Sequence, residues 1–373
     1  MKVSHRLCIF LASISIPLLA QTPEQSPTTT KLTQRDPGNT DNQITLDVVV
    51  TDKSGKPQAG LQQQNFTLLD NKSPQKILSF QAVEEPSAKS ASPLEIVLFI
   101  DIVNTEVQTV SNERLQLAKY LRQNNGKLTS PTSIVVATNT GMRNLGEPTL
   151  DGNALADAVG KNEDAFGLRT MHRAAGGQGA AERYTTSLRN LYSFATFEAR
   201  KPGRKMVIWL SPGWPLLTGA GAQMYSQGKD QLFSTLVLVS TAIQQARITL
   251  YSIDPEGAGG SGLRSRFSYE SYLKGIANAK DVMPPNLSLP VLVTHSGGRV
   301  LTTGNDIGSQ IEDCISDTKA FYVITFEAIP TERPNDYHAL ELKVDKPGLT
   351  VRTNAGYYAQ PDQSAKPPEK KKK

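Results

Sequence analysis

Four short apolar runs in the middle of this 373-residue chain restrict its fold more than any other feature. Residues 95–100 form a continuous apolar run, 205–210 read again as a buried strand, and 133–138 and 248–253 read as further largely apolar strands. A strand wet on one face alternates; a strand covered on both faces reads as a continuous apolar run. Between these runs lie stretches with helical periodicity. Leu117 and Leu121 share one face over 112–123, with Ser111 as a candidate N-cap. Tyr184, Leu188, Leu191 and Ala195 recur over 180–199, and Leu232, Leu236, Val239 and Ile243 over 229–246. Further helices are expected over 152–159, 269–278, 289–296 (ended by Gly297-Gly298) and 307–317 (capped by Asp306), with short strands at 142–145 and 299–302. Strand–helix alternation builds βαβ units. Residues 94–318 are therefore predicted to form an α/β domain: a doubly wound, mostly parallel sheet with helices on both faces.

The flanks read differently. Residues 44–84 carry β-branched runs around the turn Asp52-Lys53-Ser54-Gly55-Lys56-Pro57. A hairpin is expected there between 65–69 and 75–80, across Asp70-Asn71-Lys72-Ser73-Pro74. After the α/β region, residues 321–328, 338–344 and 349–357 read as strands again, with Pro347-Gly348 turning between the last two. The simplest arrangement is a smaller β domain built from 44–84 and 321–358, interrupted by the α/β domain. Residues 86–93 read as a linker.

The ends are read as processing and linker segments. Lys2 and Arg6 precede an apolar run, 7–19, that is too short to span a bilayer and ends near Ala20, the layout of a signal peptide over 1–20. Residues 21–43 read as a disordered Pro/Thr-rich linker, and 359–373 as a disordered basic tail closing on Lys370 to Lys373. The net charge of +5 comes from those ends, so the body from 21 to 360 is neutral. A neutral body lacks the electrostatic footprint of a nucleic-acid binder. Of the two cysteines, Cys8 leaves with the leader and Cys314 reads as a core thiol.

Several segments, in order, resemble the VWFA-related proteins known mainly from Acidobacteria, a von Willebrand factor type A (VWA)-like group. They are Val48-Val49-Val50 with residues 51–57; Asn65-Phe66 with 70–77; Phe99-Ile100-Asp101 with Asn104-Thr105; Pro202-Gly203-Arg204-Lys205 with 208–213; Tyr251-Ser252-Ile253-Asp254; Ser296-Gly297-Gly298-Arg299; and 347–352 with Gly356-Tyr357-Tyr358. The resemblance implies a VWA-like fold and export to the periplasm, the outer surface or the medium. It also implies a divalent-cation site, for Mg²⁺ or Ca²⁺, at the carboxyl ends of the strands. Such a site draws carboxylates and hydroxyls from three loops, because Mg²⁺ wants six oxygens in a near-ideal octahedron. Asp101 matches the first ligand and Thr105 the last of the first loop; Val103 stands where a hydroxyl belongs. Thr185 or Thr186 is the candidate second-loop hydroxyl. Pro212 occupies the position of the second carboxylate, with Asp254 as a substitute. The pattern is that of a degenerate metal-ion-dependent adhesion site.

Other signals are weaker. Residues 257–262 fit G-x-G-x-x-G, but no helical pattern opens there, so they read as a loop. His172, His295 and His338 are scattered, and Ser261 lacks a nucleophile-elbow context. Trp209 reads as core. Trp214 is either a partner anchor at the ligand edge or packed under a loop. The favoured reading is a binding or scaffolding module, not an enzyme, that engages another exported or cell-envelope protein through Asn104, Ser211, Pro212 and Trp214. The alternatives are a metal-dependent adhesion protein using Asp101 and Thr105, and, less favoured, a hydrolase.

Overall fold

The computed structural model describes residues 42–84, 93–161, 166, 176–215, 228–257, 268–302, 304, 306–329 and 331–361. The expected leader, nearly all of the linker 21–43, most of 86–93, the segment 258–267, His172 and most of the tail lie outside the described residues. The described residues all fall within one compact unit, Asn39–Lys373.

From the amino end the strands are β1 (Gln43–Thr51), β2 (Phe66–Asp70), β3 (Ser73–Gln75) and β4 (Ile77–Glu84). The middle region gives β5 (Leu94–Asp101), α1 (Val107–Leu121), β6 (Lys127–Thr138), β7 (Gly141–Asn144), β8 (Thr149–Asp151), α2 (Gly152–Lys161) and α3 (Gly176–Glu198). It continues with β9 (Arg204–Leu210), α4 (Lys229–Gln245), β10 (Ile248–Ile253), α5 (Leu289–His295), β11 (Val300–Leu301) and α6 (Ile307–Ser316). The chain closes on β12 (Ala320–Glu327), β13 (Asp336–Val344), β14 (Thr350–Arg352) and β15 (Gly356–Ala359).

A seven-stranded sheet runs β11-β10-β9-β5-β6-β7, with β8 also on β6. The five strands from β11 to β6 are parallel, and β7 and β8 are antiparallel edge pieces. Successive side chains of a strand point to opposite faces, and the core divides accordingly. Val97, Phe99, Val207, Trp209 and Leu250 pack with Leu191 of α3, Leu236 of α4 and Leu292 of α5. Ile96, Leu98, Ile100, Ile208 and Ile253 pack with Leu117 of α1, Leu155 of α2 and Ile311 of α6. The protein is thus a mixed α/β fold around a mostly parallel sheet covered on both faces.

The flanking strands form two four-stranded antiparallel sheets, β14-β1-β12-β4 and β15-β13-β2-β3. Each mixes amino- and carboxyl-terminal strands. Leu46, Val48, Phe66, Leu68, Tyr322, Phe326 and Tyr357 form a shared core between them. These sheets meet the α/β body at the amino ends of its parallel strands and, through Tyr358 of β15, along α4 at Phe233 and at the Ile276 carbonyl. Arg247, before β10, pairs with Asp47 at 2.6 Å, and Arg352 of β14 pairs with Asp317 at 2.7 Å. The loops at the opposite, carboxyl ends of β5 and β9 are those that carry Asp101 and Ser211.

Four local expectations are corrected. Helix α1 starts at Val107 with Glu106 in the cap position, and the Ser111 hydroxyl donates to the Val107 carbonyl inside the helix. The hairpin partner of β2 is β3, joined through Asn71 and Lys72 at φ 46° and 69°, the turn geometry that matches strand twist. The chain then crosses at Lys76 to β4 in the other sheet. The strand expected over 349–357 is two strands in different sheets, and the helix expected over 269–278 is a short 3-10 turn, Tyr269–Tyr272.

Candidate functional site

Strand β5 delivers Asp101 to the carboxyl edge of the sheet, next to β9, where the strand order turns. Its side chain is only 1% exposed. Oδ1 accepts from the backbone amides of Val103 (3.0 Å) and Asn104 (3.1 Å). Oδ2 accepts from Asn104 Nδ2 (2.8 Å), Trp209 Nε1 (3.2 Å) and Ser211 Oγ (2.9 Å). Asn104 Nδ2 also donates to Ser187 Oγ of α3 at 2.8 Å. One carboxylate therefore ties together the end of β5, the loop into α1, the end of β9 and, through Asn104, helix α3. Burial pushes the Asp101 pKa up, and the hydrogen bonds from Asn104, Ser211 and Trp209 pull against it.

The five donors to this carboxylate come from Val103, Asn104, Trp209 and Ser211, none of which is an expected metal ligand. Thr185 is exposed on α3 and its hydroxyl donates to the Ala181 carbonyl. Thr186 is buried and within 3.4 Å of Arg189 Nη2. The α3 hydroxyl that reaches the site is Ser187, which the sequence pattern did not single out. Asp254 is half-buried and accepts from the Glu256 amide at 2.9 Å. Val103 is buried and brings no side-chain oxygen. Among the described residues no group of three or more His, Cys, Asp or Glu side chains stands so as to hold a metal. A divalent ion needs free oxygen lone pairs, whereas both Asp101 oxygens are already occupied by donors. Asp101, with both oxygens engaged, and Val103, with no side-chain oxygen, do not fit the cation that the resemblance implied.

The expected partner contacts are also corrected. Asn104, Ser211, Pro212 and Trp214 are all buried. Trp214 is 4% exposed and meets Trp209 edge-on at 5.8 Å. These residues floor the rim and do not project from it. At the rim itself Glu106, Asn139 and Thr140 are exposed, and Val107 is 41% exposed at the start of α1.

Beneath the rim several oxygens have no hydrogen-bond partner: Asn104 Oδ1, Thr105 Oγ1 and both carboxyl oxygens of Glu113. Glu113 lies on the buried face of α1 with Val110 and Leu117. Burial first, and then the like charges of Asp101, Asp254 and Glu256, push its pKa well above the ordinary carboxyl range.

The histidines do other work. His295 Nε2 lies 3.0 Å from the Leu273 carbonyl. His338 Nδ1 lies 2.7 Å from Asp70 Oδ1, while Tyr357 donates to Asp70 Oδ2 at 2.6 Å, all between the flanking strands. Cys314 is buried, and burial raises its pKa. No helix among the described residues is long and apolar enough to cross a membrane.

No family model and no curated protein matches the chain. Among solved structures it is similar to the PilB minor pilin from Streptococcus sanguinis (10% identity, TM-score 0.34, covering 62% of this chain and 63% of that one). It is also similar to the human COPII-coat protein Sec24c (8%, 0.29, 73% and 44%) and, distantly, to the SpRpn10 VWA domain (11%, 0.20, 44% and 89%). The chain spans less than two thirds of the length of the first two. At such TM-scores these likenesses carry no argument about this chain.

Proposed function

We propose that this chain is an exported protein-binding module. Its VWA-like α/β domain engages another exported or cell-envelope protein through the loop rim at the carboxyl ends of the parallel strands, without a metal ion. The observation that carries the reading is the Asp101 joint, whose two oxygens are already engaged by five protein donors. The strand order supports the fold part of the reading. The first strand of the α/β region, β5, is central; β6 lies on one side with the antiparallel β7 and β8, and β9, β10 and β11 lie on the other. Open α/β sheets gather ligands where the strand order reverses, here between β5 and β9. The ion pairs that fix the flanking sheets to the body lie at the other end. Export rests on the leader-like residues 1–20 alone.

The test passes the exported protein fraction over the immobilised full chain, with and without chelator. Capture of a defined partner that survives chelation is the expected result. Val107→Asp, which charges the apolar point of the rim, is expected to weaken capture about tenfold, the loss of roughly 1.4 kcal/mol. Capture lost on chelation overturns the metal-free reading; the absence of any partner overturns the binding reading.

A further inference from the structure

Glu113 is fully buried, and neither of its oxygens meets a donor. The charged groups that face it are Asp101 at the end of β5 and Asp254 and Glu256 after β10, and all three are acidic. Among the described residues no cation acts on it. On α1 itself the Arg114 guanidinium lies over the Phe166 ring at 4.5 Å and donates to the Val159 carbonyl. On α2, Asp157 is bonded to Arg122 and Lys161. On α6, Asp306 caps the Gly308 amide and Glu312 acts on Tyr120.

An isolated buried carboxylate costs so much solvation that the group gives up its charge instead. We propose that Glu113 is held as a neutral acid beneath the rim, and that its ionisation is coupled to opening of the loop that Asp101 ties. The chemistry is one proton passing from the Glu113 carboxyl to water. The resulting anion stands near three others and has no donor among the described residues, so its hydration requires α1 and the loop 102–106 to draw away from the sheet that they cover. That movement pulls on the Asp101–Trp209 bond. The proposal rests on this geometry and not on partner binding, so it stands or falls separately from the proposed function.

Linkage sets the direction. The unfolded chain loses the Glu113 proton in the ordinary carboxyl range, the folded chain only at higher pH. Between the two the folded state binds more protons, so stability falls as pH rises. The full stabilisation is present below the unfolded value and is lost as pH climbs through the folded one.

Trp209 supplies a reporter, because its indole donates to Asp101 and the chain has only two tryptophans. The full chain carrying Trp214→Phe is titrated from acid to mildly alkaline pH with Trp209 emission and melting temperature followed together. A step in emission and a falling melting temperature above the ordinary carboxyl range are expected. Both are expected to vanish in Glu113→Gln, which keeps the acid-side values throughout. A flat parent titration, or the same step in Glu113→Gln, overturns the proposal. So does added Mg²⁺ or Ca²⁺ that abolishes the parent's step, since a metal would then be the compensating charge. Glu113→Leu is the second neutral variant and is expected to behave as Glu113→Gln does. If neither folds, the parent titration with and without the ions decides alone.

Discussion

A carboxylate sealed from water and held by five donors acts as a structural joint. Ser211→Ala removes one donor to a charged, buried acceptor and is expected to cost about 1.5–3 kcal/mol by urea denaturation. Asp101→Ala strips the acceptor from Trp209, Ser211 and Asn104 at once and is expected to cost more than Ser211→Ala. Excess chelator is expected to leave the melting temperature of the wild-type protein unchanged, because five protein donors already satisfy the carboxylate; a drop on chelation would contradict the donor count. Asp101 was legible in the sequence because an acid closing an apolar run is conspicuous. Its partners were not. Trp209 and Ser211 lie 108 and 110 residues further along, and only the β5–β9 neighbour relation brings them to it. Glu113 was hidden for another reason: an acid inside a helix reads as solvated until the helix face it occupies is known.

At the level of the element, the strands buried on both faces were the legible part, since their continuous apolar runs have few other uses. Boundaries failed where local pattern and tertiary demand part. Residues 107–111 (Val-Gln-Thr-Val-Ser) show no amphipathic stripe, yet α1 begins there because the Asp101 loop hands the chain over at Glu106. The apolar residues of 349–357 read as one strand but serve two sheets. Gly298 marks a tight passage between α5 and β11. A methyl group there would sit 1.5 Å from the Leu250 carbonyl oxygen, in the backbone of β10. The main chain of a central strand cannot step aside cheaply, so Gly298→Ala is expected to destabilise by about 2–3 kcal/mol. A denaturation midpoint unchanged by that substitution would mean the α5–β11 connection is free to shift.

For the molecule as a whole, what matters is how the flanking sheets are fixed to the α/β body, which composition and periodicity do not reveal. Asp317 is central to that attachment. It is fully buried after α6, accepts from Tyr251 of β10 at 2.8 Å, and pairs with Arg352 of β14 at 2.7 Å and with Arg299 at 3.3 Å. Nearby Arg204 is buried over the Phe321 ring, and its guanidinium nitrogens have no hydrogen-bond partner. Removing the acid leaves these cations poorly compensated, and breaking a buried pair from one side costs about 3–5 kcal/mol. Asp317→Ala is therefore expected to lower stability by that order. Arg352 belongs to the flank and Tyr251 to the body, so amide exchange should quicken in β1 and β14 and in β10 together. Faster exchange in the flanking strands alone, with β10 still protected, would show that the two parts are attached elsewhere. The Arg247–Asp47 pair would then be the next place to cut.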